Sequence, residues 1–133
     1  QALIEGKIQV HDLPEVWNTK MQQYLGLSTK GNDAMGCMQD IHWTDGSFGY
    51  FPSYTLGAIY AAQFAGAIER DIGNIGDLIA SDNGLSLIFN WLKNNVWEKA
   101  SLLSTDELIC QATGEPLNTQ WFRHYLEQRY TML

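Results

Sequence analysis

The sequence predicts an all-α fold, a helical bundle. Apolar residues recur at helical spacing along most of the chain, and residues that favour helix starts and ends flank these stretches. No stretch keeps the apolar-polar alternation of a strand, so at most one short β-ribbon is predicted, near residues 44–51. Because no linker or repeat divides the 133 residues, we expect one helical piece over residues 1–133.

The first part of the chain contains one clear helix. Asp12 is suited to cap it, Pro14 to its first turn, and Glu15 stands at the third position of a capping box. Apolar side chains then share one face until a glycine ends the pattern, which predicts a helix over residues 13–25. Residues 2–6 resemble the last turn of a preceding helix with a glycine cap, so the chain is expected to belong to something longer.

A loop and a long helix follow. Asn32 or Asp33 is expected to cap a short helix through Gln39, and the glycines between residues 44 and 49 predict a turn or hairpin. A long helix is predicted from Pro52 to about residue 72. It is apolar nearly all round, which indicates a buried central helix, and its many small residues would let a neighbouring helix approach closely.

The rest of the chain predicts a short turn and three more helices. Asp77 is expected to cap the turn, and Gly84 to begin a helix whose apolar stripe is Leu85, Ile88, Phe89, Leu92, Val96 and Trp97. Ser104 and Glu107 form a capping box for a helix that ends at a glycine, and Asn118 is expected to cap the last helix.

Composition excludes several classes of partner. Eight basic and fifteen acidic residues give a formal charge of -7, which would repel a phosphate backbone, so nucleic acid is not expected as a partner. No apolar run is long enough to span a membrane. Two cysteines without metal-site spacing favour a reducing, cytoplasmic setting.

Side chains suited to chemistry concentrate between residues 36 and 54. Asp40 is placed to fix the tautomer of His42, and Gln39 offers an amide that both donates and accepts. Tyr50 and Tyr54 offer neutral hydroxyl donors of the kind that stabilise an oxyanion. The residues alone leave two interpretations open, namely part of an active site or a polar network that ties a loop to a helix end.

No metal-binding motif accompanies this cluster. The three histidines lie far apart in sequence, and none opens a His-Glu-x-x-His pair. We therefore predict no metal ligand in this chain.

The order of residues 36–43 resembles the GxxQDxHW motif of the carboxypeptidase Taq family of zinc metallocarboxypeptidases. Further stretches on both sides are similar to the C-terminal portion of that family: residues 2–6, 12–18, 48–54 and 113–117. The resemblance implies a large helical domain divided by a deep cleft, of which this chain is the C-terminal part.

In that family, the resemblance implies, zinc is held by an HExxH helix and a later glutamate, and the enzyme releases C-terminal amino acids from peptides. Those ligands are missing from this sequence, so the chain alone is expected to be inactive and to need the N-terminal part of the same protein. The family resemblance also implies a homodimer.

By the same resemblance, the chain supplies one wall of the cleft. His42 and Tyr54 are the expected catalytic residues, with Tyr54 as the transition-state donor and Tyr50 as the competing choice for that donor. Gln39, Asp40 and Tyr50 are the expected substrate-binding residues. The alternative is a stand-alone helical module that binds a peptide or a protein partner.

Overall fold

The computed structural model describes residues 1–131, and these residues are all-α. They form six α-helices joined by turns and short 3-10 turns, and none of them lies in a strand: α1 (Leu13–Leu25), α2 (Phe51–Ile72), α3 (Ile75–Ala80), α4 (Gly84–Asn95), α5 (Thr105–Thr113) and α6 (Gln120–Tyr130). The all-α prediction is confirmed, and the region near residues 44–51 forms turns rather than a ribbon.

The chain is organised into two compact units. The first is Gln1–Pro52 and the second begins at Ser53. The prediction of one helical piece over residues 1–133 stays a prediction, and its last two residues lie outside the described part of the chain. No helix within residues 1–131 combines the length and the apolar character needed to cross a membrane.

In the first unit, α1 has the predicted bounds but not the predicted cap. Gly26 ends the helix with a φ of 68°. The Asp12 side chain makes no capping bond to α1. Its carboxylate instead accepts a hydrogen bond from the Gln9 backbone N–H at 2.8 Å, which closes the preceding 3-10 turn Val10–Asp12. The predicted capping box was wrong because Asp12 serves the earlier turn.

The short helix expected through residue 39 is two 3-10 turns. Asn32 caps the first turn, Asp33–Met35, by accepting from the Met35 N–H at 3.3 Å. Gly36 then leaves the helical region, with φ -113° and ψ -120°, and separates this turn from Cys37–Gln39.

The second unit has its core at the C-terminal half of α2. Ala67 and Ile68 of α2 pack with Trp91 of α4 and Ala112 of α5. The expectation that α2 is buried nearly all round was wrong, since the side chains of its first turns are exposed and its buried residues begin at Gln63. The close approach predicted from its small residues is real.

Two glycines show how tightly the second unit packs. A Cβ at Gly66 would lie 2.2 Å from the ring of Trp121, so α6 reaches the surface of α2 there. Gly84 begins α4 as predicted, and a Cβ at that position would lie 1.7 Å from the Leu78 carbonyl oxygen. Both contacts require a residue without a side chain.

The remaining caps divide into confirmed and corrected ones. Ser104 and Glu107 form the predicted capping box of α5. The N-cap of α6 is Thr119 rather than the predicted Asn118, and its side chain makes no capping bond; the Asn118 side chain, one residue earlier, accepts from the Gln120 N–H at 3.0 Å. Asn74, rather than Asp77, caps α3 by accepting from the Asp77 N–H at 3.1 Å. The α4 stripe splits into residues that pack against the core, Ile88, Leu92 and Val96, and exposed ones, Leu85, Phe89 and Trp97.

Candidate active site

The motif that begins at Gly36 folds into two short turns that are anchored to α1. Gly36 is buried, and a Cβ there would lie 2.6 Å from the Thr29 hydroxyl oxygen. Asn18 of α1 holds Thr29 in place, because its side-chain oxygen accepts from the Thr29 N–H at 2.8 Å and from its hydroxyl at 2.9 Å. The glycine of the motif therefore permits a close contact between the loop and the segment fixed on α1.

Asp40 and His42 form a close pair between the two turns. One Asp40 carboxylate oxygen accepts from the His42 backbone N–H at 2.9 Å and lies 2.7 Å from His42 Nδ1. Both side chains are largely buried, with 13% and 14% of their areas exposed. An ionised carboxylate only accepts hydrogen bonds, so in the bond between Asp40 and His42 the proton belongs to Nδ1. The second ring nitrogen, Nε2, then points away from the carboxylate.

Aromatic rings surround the imidazole. The Tyr50 ring stacks on His42 with a centroid distance of 5.0 Å, and the Phe51 ring meets it edge-on at 4.8 Å. The rings restrict the orientation of the imidazole and lower the local polarity, which strengthens its hydrogen bond to Asp40.

Gln39 and Trp43 both use side-chain N–H groups within the motif region. The Gln39 amide donates to the Ala34 carbonyl, while the residue itself is exposed. The Trp43 indole N–H donates to the Cys37 carbonyl at 2.7 Å. Gln39 therefore braces the loop, and its substrate-binding role stays a prediction.

A cavity of about 750 Å³ lies in the first unit beside this motif. It is lined by the first residues of the chain, by the apolar face of α1, and by Asp40, Trp43 and residues 48–52. Its volume falls within the range of small-molecule and peptide side-chain sites.

Tyr54 lies in the second unit, in the first part of α2, and 61% of its area is exposed. Its predicted role as transition-state donor stays a prediction, as does the competing role of Tyr50.

No group of three or more His, Cys, Asp and Glu side chains within residues 1–131 is arranged to hold a metal ion. The described residues therefore do not fit a metal centre of their own.

The three arginines of the second unit each have a partner within the unit. Arg70 donates to Asp71 and to the Thr113 carbonyl, Arg123 donates to Glu127, and Arg129 lies over the Tyr130 ring.

Comparison with known proteins identifies the family. The sequence profile described as carboxypeptidase Taq (M32) metallopeptidase matches residues 1–130. The chain belongs to this family.

The relatives of this M32 chain are longer proteins. Carboxypeptidase 1 of Bacillus subtilis is 38% identical over 133 residues, which are all of this chain and 26% of the relative. Thermostable carboxypeptidase 1 of Thermus thermophilus is 36% identical over 132 residues and is also covered to 26%. The solved structure of Trypanosoma cruzi metallocarboxypeptidase 1 superposes with a TM-score of 0.87 and 45% identity over 98% of this chain and 27% of that chain.

The chain thus spans about a quarter of the length of these relatives and corresponds to a C-terminal segment of them. The predicted family is confirmed.

Sequence reasoning missed two contributors to the site. It gave α1 no part in the cavity, although the helix's apolar face was recognised, and it gave the Trp43 indole no hydrogen bond. The indole position six residues after Cys37 is visible in the sequence, but the hydrogen bond between them depends on the extended backbone at Asp40.

Proposed function

We propose that this M32 chain is the C-terminal segment of a zinc-dependent metallocarboxypeptidase that releases C-terminal amino acids from peptides. The Asp40–His42 pair is the observation that carries the proposal. A largely buried imidazole, with Nδ1 2.7 Å from a carboxylate oxygen and its face against Tyr50, is oriented to act on a bound group. Relatives whose names identify them as carboxypeptidases support the reaction class.

In this proposal, His42 and Tyr54 act on the substrate, and Gln39, Asp40 and Tyr50 position it. The oriented imidazole is suited to hydrogen-bond the peptide at the bond that breaks. A tyrosine hydroxyl is suited to donate to the oxyanion of the tetrahedral intermediate, a contact whose loss typically costs a factor of about 100 to 1,000 in kcat. Tyr54 is the preferred donor and Tyr50 the competing one.

Zinc and the residues that bind it are proposed to belong to the N-terminal part of the same protein. Two observations support this proposal: no group within residues 1–131 is arranged to hold a metal ion, and the chain contains no HExxH sequence. The 133-residue chain alone is therefore expected to hydrolyse no peptide. We also propose that the intact protein is a cytoplasmic homodimer.

Exposed apolar side chains support the proposal that more polypeptide packs on this chain. Ile4, Val10 and Tyr24 of the first unit are each about two-thirds exposed, at 69%, 71% and 69%. Ile4 and Tyr24 line the same cavity, and an exposed apolar surface of this kind marks an interaction site. In the proposed enzyme, the N-terminal part covers them.

Turnover in the intact protein tests the assignment of the donor. We expect Tyr54→Phe to lower kcat about 100- to 1,000-fold with little change in KM, because the lost hydrogen bond is made mainly in the transition state. Tyr50→Phe is the matched variant: because Tyr50 is placed to position the substrate, we expect it to raise KM and to leave kcat largely unchanged. A large loss in Tyr50→Phe with near-normal Tyr54→Phe would exchange the two roles.

A second candidate function rests on the cavity of the first unit. Its apolar lining and open rim would also suit a stand-alone module that binds a peptide without cleaving it. The coding sequence upstream of Gln1 separates the two candidates. An HExxH sequence there supports the peptidase, and an initiator codon immediately before Gln1 supports the module.

A further inference from the structure

Trp43 is the last residue of the motif, and its indole N–H makes a hydrogen bond within it. We propose that Trp43 is a positioning residue for the Asp40–His42 pair, a role that rests on the proposed function. Its indole N–H donates to the Cys37 carbonyl at 2.7 Å and so joins the two ends of the motif.

The backbone at Asp40 explains why such a bond is needed. Asp40 is extended, with φ -80° and ψ 102°, and lies between the 3-10 turns Cys37–Gln39 and Ile41–Trp43. No helix continues through it, so backbone hydrogen bonding within each turn does not fix the angle between the turns. The indole bond spans six residues and bridges them directly.

Both ends of the bridge are anchored. Cys37 is buried, with 6% of its area exposed, and follows Gly36, which lies against Thr29. At the other end, the Trp43 ring packs on Phe48 with a centroid distance of 5.5 Å. The Trp43–Cys37 hydrogen bond therefore ties the turn that carries His42 to the segment that is fixed on α1.

A second tryptophan in the same unit provides a matched control. The indole N–H of Trp17 is buried but has no hydrogen-bond partner among the described residues. Replacing Trp17 by Phe removes an N–H that makes no bond, whereas the same change at Trp43 removes the bridge. Both changes take away the same atoms from one unit.

The test uses the intact protein labelled with ring-15N histidine, and His42 is assigned by the loss of its signals in His42→Gln. The ring nitrogen shifts report the tautomer, and the exchange of the Nδ1 proton with water reports how often the Asp40 bond opens. In Trp43→Phe we expect both tautomers to be populated and the Nδ1 proton to exchange about tenfold faster, corresponding to about 1.4 kcal/mol. Trp17→Phe should match the wild type.

The proposal is overturned if folded Trp43→Phe gives the wild-type tautomer and exchange rate. If that variant does not fold, an indole-to-benzothiophene replacement at Trp43 keeps the ring shape and removes only the N–H. A mixed tautomer population with faster exchange in that protein would support the proposal, and the wild-type tautomer and exchange rate would overturn it. A wild-type protein that hydrolyses no peptide would overturn the proposed function, while the histidine signals would still decide whether Trp43 positions the pair.

Discussion

The buried amide of Gln63 is the most informative single position for the stability of the second unit. Only 1% of Gln63 is exposed. Its amide N–H group donates to the Thr113 hydroxyl and to the Pro116 carbonyl, both at 3.0 Å, and its carbonyl oxygen accepts from the Asn118 N–H at 2.8 Å. One side chain of α2 thereby holds the whole connection between α5 and α6.

Gln63→Met keeps the length of the side chain and removes its polar atoms. The Asn118 N–H and the Pro116 carbonyl then lose their partner, and the Thr113 hydroxyl keeps its bond to the Ile109 carbonyl at 2.8 Å. Each of these two partly buried groups left unpaired costs about 1–3 kcal/mol, so the free energy of unfolding should fall by about 2–6 kcal/mol.

Urea unfolding, followed by tryptophan fluorescence, measures this change. A shift of the midpoint without a change in the m-value would show that stability alone has changed. Gln111→Met on the exposed side of α5 is the control and should stay within about 0.5 kcal/mol of the wild type. A loss below about 1 kcal/mol in Gln63→Met would refute the account of the connection.

Two further predictions concern packing and pH. Gly84→Ala should destabilise the second unit by about 1–3 kcal/mol or more, because the new Cβ meets the Leu78 backbone. Gly57→Ala in α2 is the control: its new Cβ has nothing within 4 Å, so the change should be neutral or stabilising. The thermal midpoints of the two variants measure the difference. Hydrogen bonds from Trp121 and Asn118 lower the pKa of Glu115 below its ordinary value. Its contribution to stability is therefore present above the ordinary carboxyl pKa of about 4.3 and is lost as the pH falls through the lowered value. The thermal midpoint of Glu115→Gln should fall less than that of the wild type between pH 6 and pH 3, and an equal fall in both would contradict this assignment.

Local signals in the sequence were sufficient for most helix bounds. The helix over residues 13–25, the start at Gly84 and the capping box at Ser104 depend on neighbouring residues, and the structure has all three. The predicted cap at Asp12 was wrong because another donor, the Gln9 backbone N–H, occupies its carboxylate. The predicted cap at Asp77 was wrong because another acceptor, the Asn74 side-chain oxygen, takes that role.

The burial of α2 could not be predicted from its composition. An apolar sequence shows that a helix favours burial, but the partner that covers it is a long-range property. In this chain the partners of α2 reach its C-terminal half, and Tyr54 and Leu56 remain exposed at 61% and 43%. The exposed start of α2 is the kind of surface that the proposed N-terminal part would cover.

The candidate site was predictable in its residue types and less so in its contacts. The pairing of Asp40 with His42 follows from their spacing of two residues across an extended position. The bond of Gln39 to Ala34 and that of Trp43 to Cys37 depend on where the chain leaves and re-enters 3-10 geometry. The 3-10 geometry is interrupted at Gly36, which lies against Thr29. That contact joins residues seven apart in sequence, and no local sequence pattern predicts it.

The central claim is that the oriented His42 takes part in peptide hydrolysis by the intact protein. The most direct measurement is the rate of release of the C-terminal amino acid from a peptide by wild type and His42→Ala, with bound metal quantified in the same samples. The account predicts a fall in kcat of about 100-fold or more with the metal content unchanged. Wild-type turnover in the variant, or loss of metal in step with activity, would contradict it.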